Sequence, residues 1–179
     1  MKKPVKIVLT GAESTGKSTL SEKLASHFNG RWVPELAREY VLKIDHHYTY
    51  EDVETIARKQ IEGEKNIESG TSICFFDTWL IITKVWFDFV FGKHPFWLDD
   101  AIKNANVDLF LLCDIDIPWV PDPLRENGGE NRKKLQQIYQ NELKNYGFNY
   151  TIVSGEGEER IQNSIDLVND FIMKYKQEL

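Results

Sequence analysis

An α/β fold, a parallel sheet with helices on both faces, is predicted by three observations. Short β-branched and apolar runs alternate with longer segments whose apolar residues recur at helical spacing, the pattern of strands joined by crossover helices. One of these runs, Val107–Cys113, is apolar almost without interruption, as in a strand covered on both sides. The first run leads through GAESTGKS into a helical pattern, so that strand, glycine loop and helix follow one another. The 179 residues, 41% of them hydrophobic and 12% aromatic, suffice for a packed core and exclude a disordered chain or a coiled coil. A single domain over residues 1–179 is expected, with a small lid at about 119–134.

Each element has its local reason. Val5–Thr10 supplies a β-branched strand, and Gly11–Gly16 breaks it before Leu20, Leu24 and Phe28 recur every fourth residue. Arg31–Val33 forms a second short strand, and Pro34 precedes a helix through Leu36, Tyr40 and Val41. Thr49 and Asp52 resemble a capping box, opening a helix with Val53, Ile56, Ala57, Ile61 and Ile67 on its stripe and an end near Gly70. Thr71–Phe76 is a strand closing on Asp77. Trp79–Phe91, apolar on nearly every side, predicts a helix buried between layers and stopped by Gly92. Pro95 opens a short helix, Val107–Cys113 is the next strand, ending at Asp114, and Tyr150–Val153 is the last. Between those two strands PWVPDPLRENGGENRKK, rich in Pro, Gly and charge, predicts the lid, before a helix with Leu135, Ile138, Tyr139 and Leu143. A final helix carries Ile161, Ile165, Val168, Ile172 and Tyr175 on one face.

Charge and cysteine usage narrow the function classes. With 28 acidic and 22 basic side chains the formal net charge is −6, which argues against a surface for nucleic acid. Cys74 and Cys113 lie within apolar runs and read as reduced, buried thiols. The N-terminal apolar run is only Ile7–Leu9, and no window approaches the roughly 18 apolar residues of a membrane span. A cytoplasmic location and a small-molecule partner are expected; the oligomeric state stays open.

Gly11-Ala12-Glu13-Ser14-Thr15-Gly16-Lys17-Ser18 fits the phosphate-loop pattern, and each element has chemistry behind it. Gly11 and Gly16 permit a turn whose N–H groups point inward, Lys17 reaches the β and γ phosphates, and the Ser18 hydroxyl can ligate Mg²⁺. Glu13, Ser14, Thr15 and Thr19 complete the nucleotide-binding stretch, with ATP and Mg²⁺ as cofactors. The fold class is therefore that of a P-loop NTPase.

Three carboxylate clusters fall after strands, where an open α/β sheet binds ligands. In VPELAREY, Glu35 can accept a proton from an acceptor hydroxyl, Arg38 can touch a transferring phosphate and Tyr40 a ring or ribose; a solvated helix start is the plainer reading. In FFDT, Asp77 can serve the metal or the acceptor hydroxyl, and it can equally cap the next helix. In the lid, Arg125 and Arg132 can close on phosphate, or stand as solvated arginines on a surface loop. Asp122 lies beside them, and His46–His47 reads as a surface loop without metal-ligand spacing. Ser154–Arg160 fits either an adenine-side loop or a plain turn into a helix.

GAESTGKSTL, VPELAREY, FFDT followed by TKVW, and DIDIPWVPDPLR, in this order, resemble the nicotinamide riboside kinase domain of the bacterial bifunctional NAD-biosynthesis proteins. The resemblance covers Ile7 to about Arg160 and implies ATP- and Mg²⁺-dependent phosphorylation of the 5′-hydroxyl of nicotinamide riboside to nicotinamide mononucleotide. Carried onto matching positions, Lys17 and Ser18 handle phosphate and metal, Asp77 sits at the hydroxyl or its magnesium, and Arg125 closes from the lid. Glu35, Arg38 and Glu39 match the acceptor side, with Glu35 and Asp77 competing for general base. A pyridinium acceptor suits a pocket of carboxylates and aromatic faces, for which Tyr40, Trp86 and Trp119 are candidates beside Trp32 and Trp79. The family's DNA-binding and adenylyltransferase regions are not expected in a chain of this length. A kinase for another nucleoside, such as a deoxynucleoside, and a non-catalytic ATP-binding switch are the alternatives.

Overall fold

A computed structural model describes residues 3–65, 67 and 71–177, with side chains through residue 174. The elements are β1 (Val5–Thr10), α1 (Lys17–His27), β2 (Arg31–Val33), α2 (Leu36–Val41), α3 (Tyr50–Lys65), β3 (Ile73–Asp77), α4 (Leu80–Trp86), α5 (Phe96–Lys103), β4 (Leu109–Cys113), α6 (Gly129–Asn145), β5 (Tyr150–Val153) and α7 (Gly157–Gln177). The five strands form one sheet in the order β2-β3-β1-β4-β5, with every neighbouring pair parallel. β1 is central, with Leu9 in register with Asp77 on one side and Leu111 on the other.

Strand alternation divides the core. Ile7 and Leu9, Ile73 and Phe75, and Leu109, Leu111 and Cys113 face α1 and α7, meeting Leu20, Leu24, Ile165 and Val168. Val8, Cys74, Phe76, Phe110 and Leu112 face the opposite way, onto Val53, Leu80, Val85, Leu98 and Leu143. Two covered faces explain why β4 reads as a continuous apolar run. Each fully buried side chain of this kind contributes about 1.5–3 kcal/mol by leaving water.

Several sequence boundaries shift. The segment expected as one buried helix over Trp79–Phe91 is α4 followed directly by a π-helical turn, Phe87–Phe91, closed by Gly92 at φ +67°. Its first part is buried, but Phe89 and Val90 are exposed, because the wider turn swings them out of the core. The connection between β4 and α6 ends at Gly128, so residues 129–134 of the expected lid belong to α6. The capping box is present: the Asp52 carboxylate accepts from both the N–H and the hydroxyl of Thr49, at 2.9 and 2.8 Å. Cys74 and Cys113 are buried and unpaired, and burial pushes the Cys113 thiol up to about 11. The helix stop at Gly70 and the apolar face at Tyr175 lie outside the described residues. No helix among the described residues is long and apolar enough to cross a membrane.

Candidate active site

The phosphate loop lies where β1 gives way to α1, beyond the carboxyl ends of the strands. Gly11 holds φ +129°, and a Cβ there would stand 2.7 Å from the Cys113 carbonyl oxygen, so only glycine lets the loop pass beside β4. Gly16, at φ +76°, makes the left-handed turn into α1. The Lys17 ammonium donates to the Ala12 carbonyl at 2.7 Å, and the Thr15 hydroxyl donates to the same oxygen at 2.9 Å. Gly11, Glu13, Ser14, Thr15, Gly16, Lys17, Ser18 and Thr19 all line a cavity of about 470 Å³.

Asp77 lies behind the phosphate loop, against Ser18 and Lys17, as the last residue of β3, only 2% exposed. It accepts a hydrogen bond from the Ser18 hydroxyl, while its Oδ1 has no partner among the described residues. Burial holds its carboxyl above the usual range, against the opposing pull of Ser18 and Lys17. Thr78, next in the chain and on the cavity wall, sits at φ +67°, a strained conformation for a β-branched residue. A hydroxyl and an unsatisfied carboxylate oxygen form a hard donor set that fits Mg²⁺. No cluster of three or more His, Cys, Asp or Glu among the described residues is arranged to hold a metal.

The acceptor side is built by α2, α4 and the lid. Glu35 precedes α2, is half-buried and lines the cavity. Burial pushes its carboxyl up and Asp77 adds to this, while Lys17, Arg38 and Arg125 pull it down. Tyr48 and Trp86 meet edge to face, 4.7 Å between centroids at 75°, and the Tyr48 hydroxyl donates to Glu126 at 3.0 Å. Ile82, Leu135 and Tyr139 supply apolar wall, and burial followed by Glu13 and Glu35 pushes the Tyr139 phenol up.

The lid is fastened at several points. Arg38 donates to Asp122 at 2.6 Å, and the Glu13 carboxylate accepts from the Asn127 N–H and amide at 3.0 and 2.9 Å. The Val120 N–H donates to the Ser14 hydroxyl at 3.0 Å. Arg125 lines the cavity while donating to the Val120 carbonyl at 2.6 Å.

Thus Glu35, Arg38, Trp86 and Arg125 join the phosphate loop at one cavity, and six other predicted site residues do not line it; of these, Asp77 lies behind the loop against Ser18 and Lys17. Glu39 points to solvent, its side chain 65% exposed and paired with Lys43, because it lies on the outer face of α2. Tyr40 turns to α3, donating to Asp52 at 2.9 Å with Lys59 over its ring. Asp122 is occupied by Arg38. Trp119 packs at the start of α6, 5.9 Å from the Arg132 guanidinium and against Gly128. Arg132 is a correction of another kind: it is 7% exposed and donates to the carbonyls of Glu13, Ser14, Ile115 and Ile117 rather than standing free on a lid.

Sequence reasoning missed Tyr48, Glu126, Asn127 and Arg160. The first three sit in polar connections without periodicity, where nothing local marks a wall of a pocket. Arg160 stood at the end of a segment read either as an adenine-side loop or as a plain turn; it is 5% exposed and donates to Asp116, Gly155, Thr15 and Asp114.

A phosphate loop after the central strand, a carboxylate ending the adjacent strand and a lid bearing arginine define a P-loop nucleotide-binding domain of the kinase type. The chain belongs to the AAA domain family, whose model matches residues 6–160. It is 28% identical over 174 residues to the trifunctional NAD biosynthesis/regulator protein NadR of Escherichia coli K12, covering 93% of this chain and 42% of that protein. The chain therefore spans about two-fifths of the length of that relative. Among solved structures it resembles a NadR protein in complex with NR, with a TM-score of 0.79 at 23% identity over 94% of this chain and 50% of that one. It also resembles deoxyadenosine kinase from M. mycoides with bound products, with a TM-score of 0.65 at 15% identity over 93% and 99% of the two chains.

Proposed function

We propose that this domain phosphorylates the 5′-hydroxyl of nicotinamide riboside with ATP, yielding nicotinamide mononucleotide in the cytoplasm. What supports this reading is one juxtaposition: the phosphate loop, the Glu35 carboxylate and the Tyr48–Trp86 wall share a cavity of about 470 Å³. The similarity to NadR agrees with it, because the sequence relationship runs through this same domain.

The work of the site is positioning and charge neutralisation. The loop N–H groups and Lys17 hold the β and γ phosphates, with the dipole of α1 behind them. Mg²⁺, when bound, neutralises charge on the phosphate oxygens; Ser18 and Asp77 are the residues that would hold it. Glu35 takes the proton of the acceptor hydroxyl: it lines the cavity, and its raised carboxyl is a better base than an ordinary one. Arg125 and Arg38 balance the charge of the transferring phosphoryl group. Trp86 and Tyr48 offer faces to a pyridinium ring, and Glu35 and Glu126 give that end negative potential.

The deciding experiment is ADP release from Mg·ATP with a panel of nucleosides. Release stimulated by nicotinamide riboside supports the proposal. Equal or better turnover of a deoxynucleoside transfers the assignment to a deoxynucleoside kinase. ATP binding without stimulation by any nucleoside favours a regulatory switch.

A further inference from the structure

We infer that Arg132 and Arg160 are positioning residues of the phosphate loop, clamping its carbonyl oxygens so that its N–H groups are left free for phosphate. The hydrogen bonds account for four successive carbonyls. Ala12 accepts from Lys17 at 2.7 Å, Glu13 from Arg132 Nε at 3.1 Å, Ser14 from Arg132 Nη2 at 2.8 Å, and Thr15 from Arg160 Nη2 at 3.1 Å. In a trans peptide the carbonyl of one residue and the N–H of the next point in opposite directions. Fixing the carbonyls of Glu13, Ser14 and Thr15 therefore directs the N–H groups of Ser14, Thr15 and Gly16 the other way. Those three residues line the cavity, and none of their N–H groups has an acceptor among the described residues.

The clamp comes from outside the loop. Arg132 stands on the first turn of α6 and Arg160 on the first turn of α7, so helices following β4 and β5 both reach back under the loop after β1. Arg160 is anchored by Asp116 at 2.7 Å. Among the described residues Arg132 has no carboxylate hydrogen-bond partner; its Nη1 donates to carbonyls of the chain leaving β4, Ile117 at 2.9 Å and Ile115 at 3.4 Å. One guanidinium thus ties the chain leaving β4 to the phosphate loop, which an ammonium with a single centre could not do in the same geometry. Two buried cations behind the loop also add positive potential where phosphate binds.

The test is titration of the protein with fluorescent ADP and fluorescent ATP, together with thermal unfolding of each variant. The loop amides cradle the α and β phosphates. Arg132→Ala and Arg132→Lys are expected to weaken ADP and ATP equally, each by about tenfold, with the affinity for nicotinamide riboside unchanged. Millimolar guanidinium restores ADP binding to Arg132→Ala. Arg160→Lys, which keeps the charge, follows the same pattern and stands in if the alanine variant does not fold.

Three results overturn the inference: a loss confined to ATP, which marks a γ-phosphate ligand; wild-type affinity in Arg132→Lys; or a lowered melting temperature with unchanged nucleotide affinity. The readout is nucleotide binding, so a wild-type protein that binds ATP without phosphorylating nicotinamide riboside defeats the proposed function and leaves this test intact.

Discussion

Asp77→Asn is expected to make the protein more stable and nearly inactive at once. The side chain is 2% exposed, its Oδ1 has no partner, and burial disfavours its charged form. Asparagine keeps an oxygen for the Ser18 hydroxyl and leaves an unpaired polar atom in place of Oδ1, so what changes is the loss of a charge that burial disfavours, on the order of 1–3 kcal/mol. A gain of about 1–2 kcal/mol corresponds, for a chain of this size, to a rise in melting temperature of roughly 2–8 °C. Turnover should fall by at least about 10²-fold, since a charge aimed at the transferring group has gone. Differential scanning calorimetry with and without Mg·ATP, beside the ADP-release assay, measures both. Wild-type protein should gain more from Mg·ATP than the variant does, because only it keeps the full oxygen donor set. A variant that melts below wild type without ligand, or that turns over at the wild-type rate, refutes the reasoning.

Glu35→Gln should lower kcat by about 10²–10⁴-fold and abolish the acid limb of the pH–rate profile, which in wild type lies above the ordinary carboxylate range. Because the folded state raises this carboxyl above 4.5, its stability contribution is complete below 4.5 and is lost as pH rises through the raised value; the glutamine variant lacks that slope in pH-dependent unfolding. Trp86→Ala should raise the KM for the acceptor by about tenfold while leaving the KM for ATP near wild type, read from initial rates with each substrate varied. His94 bonds Asp88 at 2.6 Å and Asp99 at 3.1 Å, one carboxylate on each ring nitrogen. Burial opposes its charge, yet these bonds raise it above 6.5, so its contribution is complete below 6.5 and fades as pH rises through the folded value. His94→Asn should flatten the dependence of melting temperature on pH in that window.

Much of the fold was legible because it rests on local chemistry. Alternation along β1, β3 and β4 reflects two covered faces, and every strand of the sheet falls within a segment recognisable from its β-branched or apolar residues. The phosphate loop was legible for the same reason: Gly11 and Gly16 occupy backbone conformations that few other residues tolerate. Around α2 one predicted cluster divides between two surroundings. Its residues share a segment, but a helix six residues long sends Glu39 to solvent and Tyr40 to α3 while Glu35 and Arg38 stay at the cavity.

By itself the sequence determined the alternation of strands and helices, the phosphate loop and the carboxylate closing β3, since each depends on residues adjacent in the chain. Tertiary structure alone decided which side chains converge. Tyr48 and Trp86, 38 positions apart, form one wall, and Arg132 and Arg160 reach carbonyls more than 100 residues away. Those meetings depend on the strand order, which brings the turns after β1, β3 and β4 to the same edge of the sheet, and no periodicity in a linear chain records that order.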